Sequence, residues 1–163
     1  SSINLIYNII YDNFSNILDE LVKDKGVKIR IFGSKNNLPK KIIDIFDQSE
    51  KISSKNNSLN LNIAFNYGFK NEIKEIFKKI NERKVKINFE NDKEIEKLFF
   101  LGSLPDPDLL IRTGGYQRLS NFIMYNLTYT ELFFTETLWP DFTEKEFKSI
   151  INDYHKVIRK YGL

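Results

Sequence analysis

Short apolar runs rich in β-branched residues alternate with longer stretches whose apolar residues recur every three or four positions. That alternation constrains this 163-residue chain more than any other feature. Residues 27–32, 59–65, 108–112 and 131–135 read as strands. Between them, Ile42, Ile43, Ile45 and Phe46, then Ile73, Ile76, Phe77 and Ile80, carry helical spacing. Pro39 suits the first turn of the earlier helix, and Asn91 with Glu94 resembles a capping box opening a short one. Thr143 with Glu146 caps a terminal helix carrying Phe147, Ile150, Ile151, Tyr154 and Ile158. Strands separated by helices pair in parallel, so the expected class is α/β, a mostly parallel sheet flanked by helices.

The chain opens on Ile3, Ile6, Ile10, Phe14, Ile17 and Leu21, an amphipathic helix expected to end near Gly26 with its stripe packed in the core. A hydrophobic content of 41% supports a core, and the length predicts one domain over 1–163. The absence of cysteine rules out a disulfide or a cysteine zinc site. A net charge of +3, with lysines scattered among acids, gives no nucleic-acid surface. No apolar run approaches the roughly 18 residues that span a bilayer, and the expected location is cytoplasmic, with room for association at a membrane surface.

The densest chemistry lies in DLLIRTGGYQRLSNF, residues 108–122. Leu109, Leu110 and Ile111 form a buried strand behind the turn signal of Pro105, Asp106, Pro107 and Asp108, and Arg112 stands at its carboxyl end. Gly114 and Gly115 permit positive φ, and Leu119, Phe122, Ile123 and Leu127 return at helical spacing, so a helix is predicted from about Leu119. Its amino terminus, the forked donors of Arg112 and Arg118, and the hydroxyl of Ser120 would together hold a phosphate. A glycine turn carrying two solvated arginines is the alternative on these residues alone. Asp106 and Asp108 read as turn formers rather than as a metal pair.

From 107 to 142 the chain reads PDLLIRTGGYQRLSNFIMYNLTYTELFFTETLWPDF, which closely resembles the last third of the cis-prenyltransferases, the undecaprenyl and dehydrodolichyl diphosphate synthases. KIRIFG at 28–33 and LNLNIAFNYG at 59–68 resemble two further strands of the same enzymes. The resemblance implies condensation of isopentenyl diphosphate with an allylic diphosphate to give a long-chain cis-polyprenyl diphosphate, a Mg2+ cofactor and a homodimer. It places Arg112, Arg118 and Ser120 on the isopentenyl diphosphate and Glu131 on the magnesium. It aligns Lys160, Tyr161 and Gly162 with an Arg-x-Gly element that reaches the partner subunit, lysine here replacing arginine. The opening helix matches one that also lines the product tunnel. Four strands stand here of the roughly six the family's sheet implies.

The departures are as informative. Tyr116 stands where the family commonly has glutamate, and Phe69 and Lys70 where it commonly has Gly-Arg. The family's aspartate loop, Met-Asp-Gly-Asn-Gly-Arg-Trp, is not in these residues; the one tryptophan is Trp139, and the one histidine, His155, falls in the terminal helix. The expectation is therefore an amino-terminally incomplete domain with no catalytic residue of its own, inactive alone. The alternative is a non-catalytic partner subunit of a heteromeric enzyme.

Overall fold

A computed structural model describes residues 2–158, and the chain divides into two compact units, residues 1–67 and 68–163. In the first unit α1 (Ser2–Leu18) runs through a π-helical turn (Asp19–Asp24) into β1 (Val27–Phe32). α2 (Lys40–Ser53) then leads to β2 (Leu59–Ala64), which pairs in parallel with β1 from Val27↔Leu59 to Phe32↔Ala64. Leu18, Val22, Val27 and Ile29 form a buried cluster flanked by Phe14, Leu21, Ile31 and Leu61.

Side chains of α2 finish the outer edge of β1. Ser53 Oγ accepts from Ile29 N at 2.9 Å and a Glu50 carboxylate oxygen accepts from Ile31 N at 2.7 Å. The amides that would recruit a neighbouring strand are thereby occupied, which ends the sheet at β1 on that side.

The opening stripe is not core throughout. Ile3 and Ile6 are 58% and 49% exposed, whereas Leu18 and Val22 are buried. Leu18 and Val22 pack against Val27 and Ile29 of β1, whereas Ile3 and Ile6 line an open pocket with Leu38 and Phe65. The side chain of Ile17 lies outside the described residues.

The second unit contains α3 (Phe69–Asn81), α4 (Asp92–Glu96), β3 (Leu109–Arg112), β4 (Glu131–Phe134) and α5 (Glu144–Tyr154). β3 and β4 pair in parallel, from Leu109↔Glu131 to Arg112↔Phe134. The expected four parallel strands are present, arranged among the described residues as two pairs. Phe99 stacks on Tyr125 with centroids 3.9 Å apart, and Asn126, almost wholly buried, donates to Asp106 at 2.9 Å. α5 stops at Tyr154, leaving Ile158 82% exposed rather than on the helix. No helix among the described residues is long and apolar enough to cross a membrane.

One expected helix does not form. After β3 the chain turns through Ser120 and Asn121, both in left-handed backbone (φ 48° and 64°), and continues only as a single 3-10 turn, Tyr125–Leu127. Left-handed residues interrupt a right-handed helix. Asn121 is held there by a distant partner: its carbonyl accepts from Phe69 N at 2.8 Å and its Oδ1 from Lys70 N at 2.9 Å. It therefore caps the first turn of α3, whose own leading residue, Gly68, offers no side chain. A Cβ at Gly68 would sit 2.6 Å from Asn121 Nδ2, so a side chain there would push on the Asn121 amide that makes the cap.

Candidate functional site

The structure brings Arg112, Arg118 and Ser120 together. Ser120 Oγ accepts from Arg112 Nη1 and from Arg118 Nε, each at 3.0 Å. The positive-φ glycines make this possible: with φ of 91° and 79°, Gly114 and Gly115 reverse the chain after β3 and carry Arg118 and Ser120 back over its carboxyl end.

The reversal is pinned from below. Gly114 N donates to Thr137 O and Gly115 N to Thr135 O, both at 2.9 Å. The hydroxyls of Thr135 and Thr137 donate to Glu146 at 2.5 and 3.0 Å. Thr143 Oγ1 does accept from Glu146 N, at 3.3 Å, but the Glu146 carboxylate serves these threonines instead of closing the expected capping box. Nothing local in the sequence announced Glu146 as a support for the loop. Its partners are nine and eleven residues away.

The grip differs from the expected one in its donors. No helix starts at Leu119, so no amides of such a helix are on offer there, and both glycine amides are already bonded. The donors that converge are side chains. Ser120 uses its oxygen lone pairs on the two arginines, which leaves its O–H to give, and guanidinium groups only donate. Among the described residues neither arginine is in an ion pair. A cluster of donors carrying two uncompensated positive charges suits a ligand made of acceptors, and a diphosphate is one. Beside the cluster a pocket is lined by Leu110, Ile111, Arg112, Thr113, Leu119, Ser120 and Phe122, so the charged grip adjoins apolar side chains.

Glu131 is not part of this cluster. It pairs with Leu109, three residues before Arg112 on β3, which puts it at the opposite end of the strand pair, about 10 Å along. Magnesium is commonly held by one or two carboxylates plus phosphate oxygens. Among the described residues no three His, Cys, Asp or Glu side chains converge. Trp139 is 75% exposed and stacks on the half-buried Phe142 with centroids 6.3 Å apart. Lys160, Tyr161 and Gly162 lie outside the described residues.

Known proteins share both the sequence and the fold that carry this cluster. The isoprenyl transferase of Aquifex aeolicus is 38% identical over 153 residues, covering 94% of this chain and 65% of that protein. The tritrans,polycis-undecaprenyl-diphosphate synthase (geranylgeranyl-diphosphate specific) of Pyrococcus furiosus is 35% identical over 150 residues, 90% of this chain and 57% of that protein. The chain thus spans less than two thirds of the length of these curated relatives. The crystal structure of lavandulyl diphosphate synthase from Lavandula x intermedia, in complex with dimethylallyl diphosphate, superposes with a TM-score of 0.87 at 27% identity, covering 99% of this chain and 72% of that one. The family described as "Putative undecaprenyl diphosphate synthase" matches residues 1–162. With that match and the relatives' names, the chain belongs to the cis-prenyltransferase family, the prenyltransferases that include the undecaprenyl diphosphate synthases.

Proposed function

We propose that this chain holds isopentenyl diphosphate for prenyl transfer, with Arg112, Arg118 and Ser120 on the diphosphate and the neighbouring apolar side chains against the hydrocarbon. The observation that carries the reading is the Ser120 oxygen shared by two guanidiniums that have no carboxylate partner among the described residues. Two arginines and a hydroxyl hold the head group, and Leu110, Ile111, Leu119 and Phe122 suit the hydrocarbon. Fixing both ends orients the double bond, and orientation of this kind lowers the entropic part of the barrier.

In the condensation that double bond attacks the first carbon of an allylic diphosphate, the carbon–oxygen bond to pyrophosphate breaks, and a proton leaves as the new cis double bond forms. Dimethylallyl diphosphate, named in the Lavandula structure, is one such allylic diphosphate. The product in this reading is a long-chain cis-polyprenyl diphosphate, and the assembly a homodimer in the cytoplasm or at a membrane surface. Magnesium use belongs to the same reading through the family. Glu131 supplies one carboxylate toward it and does not constitute a site by itself.

In this reading residues 1–163 supply the isopentenyl diphosphate half of one domain and do not turn over alone, because the aspartate loop is not among them. The assembled cluster favours an enzyme over a non-catalytic partner, which has no need to keep two unpaired arginines on one serine. Titration calorimetry with isopentenyl diphosphate tests the assignment. Arg112→Ala should abolish measurable binding, and an unchanged affinity would overturn it.

A further inference from the structure

Tyr116 stands between the glycine pair and Arg118, and its ring closes over the cluster. The Arg118 guanidinium carbon lies 4.1 Å from the ring centroid and that of Arg112 lies 5.8 Å from it. Both fall within the roughly 6 Å at which an aromatic face attracts a cation. The geometry points to Tyr116 as a positioning residue for the diphosphate, one that holds Arg118 by its face so that the donor edge of the guanidinium stays open to phosphate oxygens. The inference rests on the diphosphate reading of Arg112, Arg118 and Ser120.

Each neighbour uses a different part of the guanidinium. Arg118 gives Nε to Ser120 at 3.0 Å and its flat face to Tyr116. The outer nitrogens remain, and they form the fork that matches two phosphate oxygens. An aliphatic side chain would leave Arg118 tethered only through Nε. The ring alone restrains the group without competing for it, and its negative face offsets the mutual repulsion of two guanidiniums that converge on one oxygen. Tyr116 is itself 55% exposed, so packing of the protein interior gives no reason for an aromatic residue here.

The test is calorimetry on the whole 163-residue chain with isopentenyl diphosphate and, separately, inorganic pyrophosphate, for Tyr116→Phe and Tyr116→Leu. Tyr116→Phe keeps the ring and should bind like the parent. Tyr116→Leu keeps bulk without the π face and should bind both probes about two- to fivefold more weakly, the worth of an exposed cation–π contact. Equal affinity of the leucine and phenylalanine variants would overturn the role of Tyr116. If the parent binds but Arg112→Ala also binds, the diphosphate reading itself fails, and this inference with it. If Arg112→Ala is dead while Tyr116→Leu is unchanged, only the Tyr116 inference falls.

Discussion

Replacing Ser120 with glycine separates what this residue does for the fold from what it does for a ligand. Ser120 sits at φ 48°, where a side chain costs about 1–2 kcal/mol and glycine costs nothing. Against that gain, glycine adds about 0.5–1 kcal/mol of chain entropy to the unfolded state. The two hydrogen bonds that Ser120 Oγ receives lie on an exposed surface, so their loss costs about 0.5 kcal/mol in all. The sum leaves Ser120→Gly within about 1 kcal/mol of the parent in stability, from slightly less to slightly more stable. Binding should behave differently. The variant loses the hydroxyl that donates to the diphosphate and the oxygen that gathers the arginines; one hydrogen bond to a charged group is worth about 1.5–3 kcal/mol, or about a ten- to hundredfold weaker affinity. Urea denaturation reads the first quantity and calorimetry with isopentenyl diphosphate the second. Parent-like affinity would refute the hub, and destabilisation beyond about 2 kcal/mol would show that the serine is there for the fold instead.

Two other perturbations test the surroundings. Asn121→Ala removes the acceptor for Lys70 N and puts alanine at φ 64°, so urea unfolding should show a loss of about 1–2 kcal/mol; Asn121→Gly should lose less, because only the cap is missing. Equal losses in the two variants would mean that the left-handed backbone contributes nothing. The Tyr125 hydroxyl has a pKa raised above its ordinary 10.0, first by burial and then by Glu96, Asp92 and Asp106. Its folded value exceeds its unfolded one, so its contribution is fully present below pH 10 and is lost as pH rises through the folded value. Tyr125→Phe should therefore lose less stability on raising the pH past 10 in alkaline unfolding curves, and an identical alkaline slope would contradict the assignment.

Much of the fold was legible because its signals are local. β1 occupies the residues its β-branched alternation marks, α2 begins directly after Pro39, and the parallel pairing follows from helices between strands. The site was legible in its membership: Arg112, Arg118, Ser120 and the glycine pair are chemically distinctive residues close together in the chain, and they do converge. Its supports were not. Glu146 reaches its threonines from α5, and Asn121 caps a helix whose start is about fifty residues earlier, two contacts between segments that no spacing rule connects.

The same distinction explains the misreadings. Leu119, Phe122, Ile123 and Leu127 have helical spacing, yet Ile123 is buried without a helix because Asn121 has already turned the chain to cap α3. The opening isoleucines form a stripe in sequence, but only the carboxyl end of that stripe meets β1. The amino-acid sequence by itself determined which residues carry strand, turn and phosphate chemistry, since backbone preference and side-chain type act within a few residues. Only the tertiary structure decided which donors remain available, what holds the loop and how far the carboxylate stands from the arginines, since hydrogen-bond partnership and register depend on segments distant in the chain.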